Sequence, residues 1–404
     1  MRIPRALRAL CFLCALPAWS APAAPDPAAE YAARAGKLSG GKDARAWLVL
    51  ADFAEKHLLL DSRQEALRKA LEIDPQNKPA HARLEEVKLG SDWLSVDEAD
   101  AREIAEQEAK KLVFHGSRWM PPKEAEAQRE ADRREAGWPV QVRLDTPRLK
   151  IYSGQSLAFT RKLAAALEHE IDAYQQLYGK VWKLEPKPKP FRVCLYSDYE
   201  TFRREGTRLN GSAPPELAPA FYHGPTKTLQ VGSRIDPADG TLDQHLVLSC
   251  ALHEMVHAMD DQLAHLLGPS MPIWVAEGRA EHFRLALVGR HLFPGAVRIP
   301  RADGLRAQLS EGLPSLSLPS FLAMDQASFC TGNVPRNYAL AFALVHFLFH
   351  AEGGKRAAGF QRFLAGLPGK RAVSDFEGAV GSLSALEADF KRYAQEQLIP
   401  AGHP

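Results

Sequence analysis

An α+β fold is what the sequence predicts, and three observations predict it. Between Val140 and Val231 short apolar, β-branched runs are interrupted by a long amphipathic stretch. After Val231 the pattern is largely helical as far as Gln397. Ahead of Trp138 the chain reads as paired helices followed by small repeated units. A sheet followed by helices, with a separate helical region in front, is the signature of an α+β domain carrying an N-terminal extension. The chain has 404 residues, enough for two domains that each bury a core. Charged residues make up 25% and hydrophobic ones 46%, the balance of an ordinary soluble globular protein.

The first twenty residues stand apart. Arg2, Arg5 and Arg8 precede an apolar run from Ala9 to Ala18, and small residues follow around Ser20 and Ala23. This is the pattern of a secretory signal peptide over residues 1–20, too short to span a bilayer, and it predicts a secreted or periplasmic protein. Its removal takes three Arg and no acid from a chain with 51 basic and 49 acidic residues, leaving the mature protein close to neutral. Nothing here calls for a nucleic-acid partner, which needs a clustered basic surface. No later segment is long and apolar enough for a transmembrane helix; Ala339 to Phe349 is half the needed length. Cys194, Cys250 and Cys330 remain after processing, an odd number that is no disulfide framework but leaves room for one bridge.

Residues 26–89 read as helical pairs. Ala44 to Leu60 has helical spacing, Asp61 can cap a helix from Ser62 to Ile73, and Asp74-Pro75 stops it. A further helix is expected from Asn77, as cap, to Lys88. The stretch Ala66 to Asn77 resembles the second helix and exit turn of a tetratricopeptide repeat, and about one and a half such units are visible. That region is either a cap packed on the next module or a groove for a protein partner. Residues 90–138 hold a second repeat. Gly90-Ser91-Asp92-Trp93-Leu94 with Glu98-Ala99 recurs as Gly116-Ser117-Arg118-Trp119-Met120 with Glu124-Ala125. Each copy reads as a tight turn, a strand with a buried Trp and the capped start of a helix. Lys123 to Glu135 reads as a solvated linker helix, and Trp138-Pro139 as the boundary of the domain at 139–400.

Within that domain, strands are expected at Val140–Leu144, Leu149–Tyr152 and Phe191–Tyr196, and a hairpin at Ala220–Tyr222 and Thr228–Val231. Helices are expected at Leu157–Tyr178, Asp198–Glu205 and Leu246–Leu267, and Pro294 to Pro319 reads as a long loop.

The chemistry is concentrated in His253-Glu254-Met255-Val256-His257. On a helix, residues four apart share a face, so His253 and His257 can grip one metal ion with Glu254 beside it. Downstream, Trp274-Val275-Ala276-Glu277-Gly278 offers Glu277 as the third ligand. Two imidazoles and a carboxylate with one position left open are the donor set of a catalytic zinc site, one ion per chain. Glu254 then suits the role of general base. Glu281, one turn beyond Glu277, can accept a hydrogen bond from a ligand imidazole and fix its tautomer. Glu281 is also the rival for third ligand, but spacing and context favour Glu277. Asp260 and Asp261 lie on the ligand helix and swing away from the site. His346 and His350 are also four apart, yet without an adjacent acid in a Phe-rich helix they read as packing residues.

These residues carry a family resemblance. His253 to His257 with Trp274 to Glu281 resembles the gluzincin metallopeptidases, especially their peptidase-MA-like families. The resemblance implies a zincin-like domain, a small mixed sheet with active-site helices, over the order of elements in residues 140 to 397. It implies that the hairpin Ala220 to Val231 holds an edge strand that pairs with extended substrate. It draws attention to Tyr338, which in the zinc aminopeptidases of this type stabilises the oxyanion; the residues alone leave a packing Tyr as the other choice. The G-x-M-x-N segment of those aminopeptidases is missing, which directs the expectation to an endopeptidase or a narrow peptidase acting on peptide or protein. The rival expectation is a binding protein that docks partners on its helical repeats and reuses a protease fold without catalysis.

Overall fold

The computed structural model describes residues 26–182, 184, 189–214, 219–235, 240–263, 271–296, 302–367 and 373–399. The expected signal peptide, and the expected end of the ligand helix at 264–267, lie outside these residues.

Four helices open the described chain: α1 (Pro27–Leu38), α2 (Ala44–Lys56), α3 (Leu60–Ile73) and α4 (Lys78–Arg83). Asp26, Asp43 and Asn77 cap α1, α2 and α4 by accepting backbone N–H bonds near the first turn. Their apolar faces meet around Trp47, Leu50, Leu67 and a set of fully buried alanines. Two expectations fail here. Asp61 sits inside α3 rather than capping it, because the helix starts at Leu60 after a positive φ of 57° at Leu58. The helix from Asn77 ends at Arg83 instead of Lys88, since Glu85 takes a φ of 59° and Glu86–Leu89 becomes strand β1.

The strand forms because its partner follows at once. β1 pairs antiparallel with β2 (Asp92–Ser95), and helix α5 (Val96–Ala109) comes next. The second copy repeats this with β3 (Val113–His115), β4 (Arg118–Met120) and α6 (Pro122–Ala136). Gly90 and Gly116 have φ of 65° and 70° at the first central position of two-residue turns, which only glycine adopts without strain. Ser95 and Glu98 form a full capping box on α5, whereas α6 starts on prolines with no side-chain cap. The two Trp are half-buried, not buried as expected. Trp93 stacks on His81 and Trp119 donates its ring N–H to Glu103 at 2.8 Å. Helix α6 is more than a solvated linker. Its Asp132 is 3% exposed and pairs with His115 at 2.6 Å and with Arg143 at 2.9 Å.

A five-stranded mixed sheet follows: β5 (Val142–Asp145), β6 (Leu149–Ser153), β7 (Phe191–Leu195), β8 (Ala220–His223) and β9 (Thr228–Val231). Its order is β5-β6-β7-β9-β8, with β6, β7 and β9 parallel and the two edge strands antiparallel to their neighbours. Alternation sorts the side chains. Ile151, Val193, Leu195, Leu229 and Val231 enter the main core, while Tyr152, Cys194 and Tyr196 face the other way toward Trp138 and Phe202. Phe202 belongs to α8 (Tyr199–Asn210), capped by Asp198 and ending five residues later than expected.

On the main face lie α7 (Leu157–Trp182) and α9 (Gln244–Gln262). The remaining helices are α10 (Ile273–Arg284), α11 (Ala302–Gly312), α12 (Leu318–Leu322), α13 (Gln326–Thr331), α14 (Val334–His350), α15 (Ala357–Gly366), α16 (Val373–Val380) and α17 (Leu383–Tyr393). Helix α11 therefore occupies much of the stretch expected to be a loop. The α+β reading holds. Among the described residues no helix is long and apolar enough to cross a membrane. Cys194, Cys250 and Cys330 are all free.

One short hairpin fastens the N-terminal region to the rest. Strands β10 (Leu287–Val288) and β11 (His291–Leu292) carry Arg290, which is 9% exposed. Arg290 reaches Asp97 at 2.5 Å and Asp100 at 2.7 Å on α5, and its backbone N–H donates to Glu85 at 2.6 Å. Arg161 on α7 binds Asp100 and Glu103 at 2.8 Å each.

His346 and His350 are packing residues, as expected, and His282 joins them. His346 Nε2 meets the Gly295 carbonyl at 2.8 Å, and His350 Nε2 meets His282 Nε2 at 3.0 Å. Burial holds His346 down to about 3, His350 down to about 4 and His282 well below its ordinary value, helped at His282 and His346 by neighbouring imidazoles. Groups depressed in the folded state bind their protons first in the unfolded chain, so the stability that these three groups contribute is complete above about pH 6.5 and drains away as the pH falls toward 4. His350→Leu should flatten that decline by one titrating group, up to about 1.4 kcal/mol per pH unit. Denaturant midpoints across pH 4–7 measure it; an unchanged slope would mean that the cluster is charged in the native protein.

Candidate metal centre

Helix α9 is capped by Asp243, which accepts the Leu246 N–H at 2.9 Å, and is buried on nearly every side. It is therefore a core helix, and its His253 and His257 are fixed by packing on both flanks. Helix α10 follows Pro272 and is pinned by Trp274, 1% exposed, among Phe360, Phe363 and Phe376. Gly278 decides how closely α10 meets α14. A Cβ there would fall 2.5 Å from the Ala341 carbonyl oxygen and 2.8 Å from Val345 Cγ2. The glycine after Glu277 is thus a spacing device that brings α14, with Tyr338, close to α10.

Glu277 faces both imidazoles. His253 Nε2 lies 3.1 Å and His257 Nε2 3.5 Å from Glu277 Oε2, and the two imidazole nitrogens are 3.3 Å apart. Ligand bonds of about 2.0–2.1 Å to a tetrahedral ion put neighbouring donors about 3.3–3.4 Å apart, so the three atoms already stand near that spacing. They form a group able to hold a metal ion, with His253 and Glu277 buried and His257 half-buried. Among the described residues it is the one such group of three.

The second layer is in place. Glu281 Oε1 is 2.9 Å from His253 Nδ1 and 2.8 Å from Arg284 Nη1. The contact to His253 is skewed, leaving that ring nitrogen without a straight hydrogen bond. Electrostatics follow from this crowding. Burial alone would push His253 and His257 down, but the carboxylates beside them outweigh it and hold both above the ordinary imidazole value. Burial would raise the two acids, yet the imidazoles pull Glu277 far below the usual carboxylate range, and Arg284 with His253 holds Glu281 at about 2.

Glu254 is half-buried beside the group and belongs to no ligand pair. Its Oε2 accepts the backbone N–H of Tyr222, on edge strand β8, at 2.9 Å. Tyr338 is half-buried near the start of α14, which Asn333 caps, and its ring lies over His253 with centroids 5.9 Å apart. Burial and then the nearby Glu277 carboxylate push its phenol up, so it stays a neutral O–H donor. All six residues picked out by the motif and the resemblance therefore converge. Asp260 and Asp261 do turn away: Asp260 toward Arg279 and Asp261 toward Lys227 and Tyr222.

Sequence reasoning missed three participants. The Tyr222 N–H is a backbone group and leaves no residue signature. Arg284 lies three residues past Glu281, a helical neighbour that spacing could have found. Cys330 is exposed on α13 and close enough to feel the Glu277 charge, through a contact no local pattern encodes. No protein-family model matches the chain, and no curated protein matches it.

Two outcomes follow from the geometry. Glu277→Ala should abolish stoichiometric binding of a divalent ion, while Glu281→Ala should retain the ion with affinity about 10–100-fold weaker; metal content after dialysis distinguishes the two. Gly278→Ala should cost about 1–3 kcal/mol through overpacking against α14, read from denaturant unfolding.

Proposed function

We propose that this chain is a zinc-dependent metallopeptidase, exported from the cytoplasm and acting on peptide or protein. The observation that carries the reading is the pairing of a His253–His257–Glu277 donor group with a carboxylate, Glu254, that is adjacent to it and not used as a ligand. A structural metal site has no use for such a base. The donor chemistry fits zinc: two neutral imidazoles and one carboxylate with a position left open. A zinc ion held there would supply Lewis acidity and lower the pKa of water toward neutrality.

The residues of the chain do the rest. Glu254 takes the proton of the attacking water and delivers it to the leaving amine, its orientation set by the Tyr222 N–H. Tyr338 presents a neutral hydroxyl beside the donor group, where it can stabilise the oxyanion of the tetrahedral intermediate. Glu281 holds His253 in the tautomer that presents Nε2. Strand β8 lies at the edge of the sheet beside Glu254, the place where an extended peptide would lie. The mixed sheet, the ligand helix, the carboxylate helix and the helical tail are arranged in the order that the gluzincin resemblance implies, which supports a zincin-like domain. An endopeptidase or narrow peptidase suits the missing aminopeptidase segment.

Zinc-loaded protein should cleave components of an unbiased peptide mixture. Glu254→Ala should keep its zinc and lose about 10²–10⁴ in rate, and Tyr338→Phe should lower kcat by about 10²–10³. Mass spectrometry of the mixture gives the readout. A zinc-loaded protein inert toward every peptide, yet retaining a partner in pull-downs through residues 26–89, would favour the scaffold alternative.

A further inference from the structure

Two helices from different parts of the chain supply the ligands, and something must fix their pitch. Moving up α10 from Glu277 to Glu281 to Arg284 meets His257 with His253, then His253, then the Cys250 level of α9, so the two helices run antiparallel. Close to the ligands lies a buried charged pair that the proposed reaction does not use. Arg279, 0% exposed, donates from Nη1 to Asp260 Oδ2 at 3.1 Å and from Nη2 to Asp260 Oδ1 at 3.0 Å. Arg279 is two residues past Glu277 and Asp260 three past His257, so each member stands within one helical turn of a ligand. The guanidinium is walled in by the rings of Tyr174, Tyr178 and Trp182 at 5.3, 4.2 and 4.6 Å. The Tyr174 hydroxyl donates to Asp260 as well, tying α7 into the same joint.

We infer that Arg279 and Asp260 are positioning residues, a two-pronged lock that sets the relative pitch of α9 and α10 and thereby the spacing of the three metal-ligating atoms. The inference rests on the metal-centre reading above. Stability does not explain the pair, because a buried ion pair is commonly replaced by well-packed apolar residues at no loss. Geometry does. Apolar surfaces slide over one another by fractions of an ångström, whereas a planar fork on a carboxylate has one register. A metal site needs its donors held to within about 0.5 Å.

The test uses the full mature chain, with Co²⁺ as a metal probe whose visible spectrum reports coordination. Wild-type protein is measured first; if it takes up neither Co²⁺ nor Zn²⁺, the metal-centre reading fails before the lock is examined. The double variant Arg279→Met/Asp260→Leu should melt, metal-free, within a few degrees of wild type. It should nonetheless bind Co²⁺ about 10–100-fold more weakly and show an altered visible band. Arg279→Lys, which keeps the charge without the fork, should fold and lose part of the affinity. Tyr174→Phe, which leaves the ion pair but removes its hydroxyl tie, should weaken binding a few-fold. If the double variant does not fold, these two single variants carry the test. Wild-type affinity and an unchanged cobalt spectrum in the folded variants would overturn the inference.

Discussion

The site depends on holding Glu277 against two imidazoles in a place that water barely reaches. Each partner alone would be costly there: a buried carboxylate favours its acid form, and a buried imidazole its neutral form. Together they reverse both preferences, with Glu277 drawn down and His253 and His257 drawn up. A metal ion entering the group competes with protons on the histidines, so ion uptake and proton release are linked. The surrounding packing must supply the rigidity, since three polar groups this close have other ways to arrange themselves. That packing comes from Trp274 in its aromatic nest, Gly278 against the α14 backbone and α9 enclosed by the sheet and α7.

The same logic extends outward. Helix α10 leads directly into the β10–β11 hairpin, whose Arg290 is gripped by Asp97 and Asp100. The repeated hairpin-helix units are therefore more than spacers. The first of them holds the end of the segment that carries Glu277, Glu281 and Arg284. With α5 also bound to Arg161 on α7, the N-terminal region braces two elements that line the ligand helices. A partner bound on the helical repeats would act on the same braced assembly.

How much of this was legible in the sequence depended on the range of the interaction. The metal group was legible because helical periodicity alone places His253 and His257 on one face, and because Glu277 arrives with Trp274 and Gly278 around it. The central strands and the hairpin at Ala220–Val231 were legible from alternation. What failed were boundaries where a local pattern met a non-local partner. Residues 84–88 have helix-compatible composition, yet Glu85 turns away and its carboxylate accepts the Arg290 N–H of the hairpin more than two hundred residues later. Residues 302–312 lie between prolines and glycines and still form a helix, because Leu309 is drawn fully into the core beside α14. The position of Asp260 on α9 is enough to turn it away from the donor group, but nothing local indicates that Arg279 meets it. Single residues facing each other across helices are invisible to periodicity.

The contact between the Tyr222 N–H and Glu254 joins the base to the strand that, in the proposed reaction, receives the substrate. Strand β8 is the edge of the sheet on this side, and its Tyr222 N–H is already held by Glu254. It is not loose, because Tyr222 also donates its hydroxyl to Asp261 at 2.6 Å and Lys227 grips the same acid, fastening the turn end of the hairpin to α9. In the proposed reaction a peptide added to this edge would be registered against the helix that carries His253, Glu254 and His257, not merely against the sheet. Base, donor group and edge share one rigid frame. In the proposed reaction that arrangement would set the position of the scissile carbonyl through main-chain pairing.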